Sequence, residues 1–116
     1  MLNITERQTG GVTILDLEGN VIMGGGSAKL REAMSRLMAS GKKNILLNFA
    51  GVKYMDSSGV GELLSGSTAL TNEGGNLKLL NLPKKVEEVM TLSSILSMFE
   101  VYETEDQALK KFSGNA

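Results

Sequence analysis

The chain contains no cysteine and no histidine. Without cysteine there are no disulfides and no thiolate chemistry, and the composition fits a reducing compartment, so a cytoplasmic setting is expected. Without histidine the usual general base at neutral pH is missing, as is the commonest imidazole metal ligand, which sets aside triad hydrolases and most zinc enzymes. No apolar run approaches the ~20 residues of a membrane span. The start, Met1-Leu2-Asn3-Ile4-Thr5-Glu6-Arg7, lacks a basic segment followed by an apolar one. Neither a membrane partner nor export by its own signal is expected. Charge is not blocked by sign either: Lys+Arg 12 against Asp+Glu 13 leaves a net charge of -1 with no basic stripe, which argues against direct nucleic acid binding.

What is present suits one globular domain. A chain of 116 residues, 41% hydrophobic and 22% charged, can bury a single core but not two. Residues 2–8 and 12–17 read as strands joined in a hairpin through Thr9-Gly10-Gly11. After Gly24-Gly25-Gly26-Ser27, the residues Leu30, Ala33, Met34, Leu37 and Met38 recur with helical spacing, and Lys29, Arg31, Glu32 and Arg36 lie opposite as a solvated face. Ile45-Leu46-Leu47-Asn48-Phe49 is too continuous for a half-exposed strand and reads as a central buried one. A second helix starting near Ser57 or Ser58 carries Val60, Leu63, Leu64, Ser67 and Leu70 on one stripe. Leu77 to Leu82 suggests another strand, and Pro83, the only proline, opens a helix with Val86, Val89 and Met90 inward. Phe99-Glu100-Val101-Tyr102 reads as a last short strand. Thr104 and Gln107 fit a capping box before a final helix burying Ala108, Leu109 and Phe112. Methionines 34, 38, 55 and 90 read as core fillers. Strand and helix alternate after the hairpin, which predicts an α/β fold with a mixed, mostly parallel sheet.

The segment Met55-Asp56-Ser57-Ser58-Gly59-Val60-Gly61 joins a strand to a helix, where α/β sheets place their binding loops. Its plain reading is a capped helix, since Asp and Ser are the commonest N-caps. A phosphate on Ser58 is also physically reasonable, because the unpaired amides and positive dipole end of a helix accept an anion. Gly59 and Gly61 leave the backbone bare near that hydroxyl, at a cost of ~1 kcal/mol each in helix propensity. The glycine run before Ser27 is not a phosphate loop, for it lacks the G-x-x-x-x-G-K-[ST] pattern, and it reads as a flexible connection.

The chain resembles the STAS-domain anti-sigma-factor antagonists, a bacterial family of phosphorylation-dependent partner switches. The likeness rests on Met55-Asp56-Ser57-Ser58-Gly59-Val60-Gly61, with Leu30-Arg31-Glu32-Ala33, Gly74-Gly75-Asn76-Leu77-Lys78-Leu79 and Phe99-Glu100-Val101-Tyr102 in the expected order. Val60 stands where the family usually has leucine, and Gly24-Gly25-Gly26-Ser27 replaces a more polar loop that helps meet the kinase. The resemblance implies a single STAS-like domain over residues 1–112, with 113–116 as a tail, and makes Ser58 the phosphoacceptor. It further implies partner contacts at Asp56, Ser57, Ser58, Gly59, Val60 and Gly61. The unmodified chain would bind an anti-sigma factor that is also a serine kinase, freeing a sigma factor; phosphorylation would release it, and a PP2C-type phosphatase would reset it.

Two other readings compete. One is a STAS module switched at Ser58 in a signalling pathway without a sigma factor. The other is an enzyme using Asp56, Ser57 or Glu62, but a serine nucleophile needs a base, and Lys42 and Lys53 are not spaced to serve. Asp56 and Glu62 are too few for a metal site. No catalytic residue, cofactor or metal is therefore expected.

Overall fold

The computed structural model describes residues 1–113. Strand β1 (Leu2–Thr9) pairs antiparallel with β2 (Val12–Val21) across a turn in which Gly10 and Gly11 both take positive φ, the backbone that a two-residue hairpin demands. Helix α1 (Gly26–Ala39) leads to β3 (Asn44–Met55), α2 (Ser57–Asn72) to β4 (Asn76–Leu80), and α3 (Lys84–Leu92) with a 3-10 turn at Leu96–Met98 to β5 (Val101–Tyr102). Helix α4 (Glu105–Ser113) closes the described chain, so the part of the expected tail at 114–116 lies outside the described residues.

The five strands lie side by side in chain order, and every pair after the first hairpin is parallel. This order decides where the helices go. Right-handed crossovers that step always in one direction deliver α1, α2 and α3 to the same face of the sheet. There Leu30, Met34 and Leu37 of α1, Val60, Leu63 and Leu70 of α2, and Val86 and Met90 of α3 pack on Leu15, Ile45, Leu47, Phe49 and Leu79. Helix α4 follows the last strand and covers the other face, with Ala108, Leu109 and Phe112 against Ile14, Leu46 and Leu80. Lys78 is also on that face, 1% exposed, its Nζ 2.9 Å from Glu100 Oε1 and 5.2 Å from the Phe112 ring centre. At the amino end of α4 the same face turns polar. Arg7 donates from Nε to Asp16 Oδ2 at 2.6 Å and from Nη2 to Glu105 Oε1 at 2.9 Å, while Asn48 donates to Asp16 Oδ1 at 2.8 Å. That network ties the edge strand, the central strand and α4 together.

The mixed sheet, the hairpin and the helix assignments expected from the sequence are found. Several strand ends differ: β2 runs on past Leu17 to Val21, β4 stops at Leu80 short of Leu82, and β3 and β5 also depart. The central strand does not end at Phe49 but runs to Met55, because two irregularities, between the pairs Asp16–Asn48 and Glu18–Gly51 and between Gly19–Val52 and Asn20–Tyr54, each take up an extra β3 residue and let pairing continue through Gly51 as far as Val21–Met55. The last strand is only Val101–Tyr102, with Phe99 following the 3-10 turn.

The longer β2 and β3 carry their carboxyl ends past the core, and both following helices start there. Two glycines permit the approach. A Cβ on Gly26 would lie 1.9 Å from the Asn20 carbonyl oxygen, and one on Gly59 would lie 2.8 Å from the Val21 carbonyl oxygen and 2.6 Å from Met55 Cγ. The amino ends of α1 and α2 are thereby pressed against the end of β2, side by side and pointing the same way. Further along, Gly66 of α2 leaves room for the thioether of Met34 of α1.

Gly26→Ala should therefore destabilise the protein by about 1–3 kcal/mol in urea unfolding, since backbone and not a mobile side chain must yield. Gly61→Ala, whose Cβ meets nothing within 4 Å, should instead stabilise by up to ~1 kcal/mol through helix propensity. The acid limb of stability is set in part by Asp16, whose carboxyl is held below its ordinary value of 3.8 chiefly by the Arg7 hydrogen bonds. A lowered folded-state value means that this contribution is full above 3.8 and is lost as the pH falls through the folded-state value. Melting temperatures followed down to about pH 2 should fall over that range, and Asp16→Asn should flatten the fall.

Candidate functional site

Helix α2 begins under a complete side-chain cap. Asp56 has extended backbone, φ -107° and ψ -174°, and its Oδ1 accepts from Ser58 N at 2.9 Å and Gly59 N at 3.3 Å. The same oxygen accepts the Ser58 hydroxyl at 2.5 Å. Its other oxygen, Oδ2, accepts from Met23 N at 3.0 Å, and the Asp56 amide donates to Val21 O at 3.2 Å. One carboxylate thus caps its own helix and fastens the loop before α1. These donors hold its carboxyl below the ordinary value, the Ser58 hydroxyl contributing most and the Met23 amide next.

The Ser58 oxygen has a second partner, Ser27 Oγ, at 2.5 Å. The direction of each bond follows from counting protons. An ionised carboxylate only accepts, so the single Ser58 proton goes to Asp56, and the bond between the two serines must be donated by Ser27. Ser27 is the second residue of α1 and 5% exposed, whereas Ser58 is half-buried. One turn further along the same two helices, Arg31 Nη1 donates to Glu62 Oε2 at 3.3 Å. The α1–α2 seam therefore runs Ser27 with Ser58, Arg31 with Glu62, and Met34 with Gly66.

The residues singled out in the sequence are contiguous here but differ in what they present. Ser57 and Gly61 are exposed, Asp56 and Ser58 are half-buried, and Gly59 and Val60 are buried. Gly59, expected to leave bare backbone for an approaching enzyme, is packed under the end of β2 instead, because α2 must start within contact of Val21. Val60 sits on the core stripe at 6% exposure, where its smaller size is accommodated. The glycine run, read as a flexible connection, is partly structural: Gly24 and Gly25 are exposed, but Gly26 is buried as the first residue of α1.

Two contributors went unseen in the sequence. Ser27 sits 31 residues from its partner, and nothing in local spacing signals that contact. Met23 is 76% exposed beside the site, bound to Asp56 only through its backbone amide. Tyr54, also exposed and stacked under Lys85 Nζ at 4.8 Å, leads into the same segment. A surface groove of about 680 Å³ lies elsewhere, between Pro83, Glu87, Tyr102 and Glu103. Among the described residues no three His, Cys, Asp or Glu side chains converge as a metal site, and no helix is long and apolar enough to cross a membrane.

Residues 3–108 match the family model of the STAS domain. BtrV of Bordetella bronchiseptica, named provisionally as an anti-sigma factor antagonist, is 25% identical over 96% of this chain and 95% of its own. Among solved structures, an anti-sigma factor antagonist from Mycobacterium paratuberculosis superposes with a TM-score of 0.86 at 18% identity, covering 97% of this chain and 95% of the other. The anti-sigma factor antagonist SpoIIAA superposes with a TM-score of 0.73 both unphosphorylated, at 23% identity over 97% of this chain and 99% of that one, and phosphorylated, at 25% identity over 94% and 98%. Sheet order, helix placement and the extent of the match agree: the chain belongs to the STAS domain family, in which the relatives named above are anti-sigma factor antagonists.

Proposed function

We propose that this protein is an anti-sigma-factor antagonist whose docking is controlled by phosphorylation of Ser58. The observation that carries the reading is the Ser58 hydroxyl itself, half-buried at the mouth of α2, hydrogen-bonded to Asp56 and flanked by exposed Ser57 and Met23. A partner can reach it without unfolding anything. In the unmodified state the chain docks through Asp56, Ser57, Ser58, Gly61 and Met23 onto an anti-sigma factor with serine kinase activity, and a sigma factor is freed. Gly59 and Val60 shape this surface from beneath. The chain itself performs no catalysis; it offers the acceptor, in a cytoplasmic setting.

The kinase supplies the nucleotide. A bond forms between Ser58 Oγ and the γ-phosphorus of ATP, the bond from that phosphorus to the β,γ-bridging oxygen breaks, and ADP leaves. The hydroxyl proton passes to a base. Transfer adds about -1.5 to -2 charges next to Asp56. The amino end of α2 offsets part of that charge, which keeps the helix formed, and the superposition of this chain on SpoIIAA in its phosphorylated form agrees with a scaffold that tolerates the group. The partner's surface receives no such compensation. An interface fitted to a neutral hydroxyl then has to desolvate a dianion, and binding fails. Hydrolysis by a PP2C-type phosphatase restores the first state.

The test is partner capture followed by phosphorylation of the purified pair. Native protein and Ser58→Ala should retain the same kinase-containing partner, while Ser58→Asp should bind at least about tenfold more weakly, a difference of ~1.4 kcal/mol. With ATP, the native chain should gain one phosphate, located at Ser58 by peptide mass spectrometry, and Ser58→Ala none. Labelling at Ser57, or equal capture by all three forms, would sink the reading.

A further inference from the structure

Ser27 is a buried hydroxyl with a specific job to explain. A buried hydroxyl left unpaired costs about 1–3 kcal/mol, and the partner that satisfies this one is Ser58 Oγ, on a different helix. The meeting is built into the scaffold. Gly26 lets the start of α1 touch the Asn20 carbonyl, Gly59 lets the start of α2 touch the Val21 carbonyl, and the serines beside those glycines are brought face to face. Below them the seam is held in register by Arg31 with Glu62 and by Met34 against Gly66.

From this geometry we infer that Ser27 is a positioning residue for position 58 in both states of the switch: its hydroxyl proton, donated to Ser58 Oγ, fixes that side chain in one rotamer, and the same donor stays with the phosphoryl group once one is attached. The inference rests on the reading of Ser58 as the phosphoacceptor. In the unmodified state Ser58 Oγ carries one proton and two lone pairs. The proton is committed to Asp56, one lone pair to Ser27, and one lone pair is left for phosphorus. After modification the oxygen has no proton to give, so Asp56 loses a donor and faces a like charge. Ser27, a donor, faces a stronger acceptor than before, and charge-assisted bonds are roughly twice as strong as neutral ones. Other charged groups do not replace it. Asp56 repels the phosphate, Arg31 is engaged with Glu62 a turn below, and Lys29 lines a groove with Ile4 and Glu6 toward β1.

The experiment needs no kinase. Phosphoserine is placed at position 58 during translation, and the second ionisation of its phosphate is followed by 31P NMR in the otherwise native chain, in Ser27→Ala and in Ser27→Thr. Loss of the donor should raise that pKa by about half a pH unit in Ser27→Ala, and Ser27→Thr should restore the native value. A merely structural role would lower the melting temperature of Ser27→Ala without moving the phosphate titration. In the unmodified native protein, the Hα–Hβ couplings of Ser58 should report a single rotamer, averaged in Ser27→Ala. Identical titrations in all three chains, or averaged couplings already in the native protein, would overturn the inference. Should Ser27→Ala not fold, Ser27→Cys, of similar size and a weaker donor, replaces it. Its phosphate titration should rise and its Ser58 couplings average, and native values for both would overturn the inference. Failure of the functional reading looks different: no kinase would label Ser58, while titrations and couplings would still move as stated.

Discussion

The carboxylate of Asp56 is the joint on which the site depends. It receives the first free amides of α2 on one oxygen and the Met23 amide on the other. Two loops that follow different strands are thereby held by one side chain. Those donors also favour the ionised form of the carboxyl, and an ionised carboxylate is what forces the direction of the hydrogen bonds around Ser58. A protonated Asp56 would compete for the role of donor, and the order Ser27 to Ser58 to Asp56 would no longer be unique.

That joint exists because of the sheet. A sheet whose parallel strands step in one direction puts successive crossover helices next to each other on one face, so α1 and α2 are neighbours with parallel axes. Their amino ends then coincide above the carboxyl ends of β2 and β3, the usual place for function in α/β proteins. The opposite face follows another logic. It is apolar only where α4 covers it and polar at that helix's amino end, with Arg7, Asp16, Asn48 and Glu105 satisfying one another. The candidate site and the network that fastens α4 are thus on separate faces, and stress at one need not reach the other.

Much of this was legible in the sequence, for identifiable reasons. The helices were visible because Leu30, Met34 and Leu37, or Val60, Leu63 and Leu70, repeat with the helical period and face one core. The hairpin was visible because Gly10-Gly11 has few other uses between two β-branched runs. The cap at Asp56 and the Thr104 bond to the Gln107 amide were visible because capping is local in sequence. The continuation of β3 was hidden, since Gly51 looks like a terminator unless the irregularities on either side of it, which let it pair with Glu18, are known. Ser27 was hidden more deeply. Its partner is set by helix packing, it follows three glycines, and glycines tell of freedom and of close approach in the same letters. Gly24 has open space around it and a positive φ, whereas Gly26 has an ordinary helical backbone pressed against the Asn20 carbonyl.

The energetics explain why a switch can be placed here without risking the fold. A helix cap is worth ~1 kcal/mol, and a charge at a helix end changes stability by about 0.3–1 kcal/mol. Both are small against the 5–15 kcal/mol that stabilise a typical domain. The core that supplies that stability, centred on Leu47, Phe49, Leu63 and Leu79, lies beneath the site and is fully buried. On the reading proposed for Ser58, a phosphate beside Asp56 would therefore perturb the first turn of α2 and the hydration of the surface, not the packing. Docking is affected far more, because each ~1.4 kcal/mol of lost complementarity is tenfold in affinity. A half-buried hydroxyl meets both requirements at once. It is anchored enough by Ser27 and Asp56 to present one geometry, and open enough beside Ser57 for its change of charge to be felt by whatever lies against it.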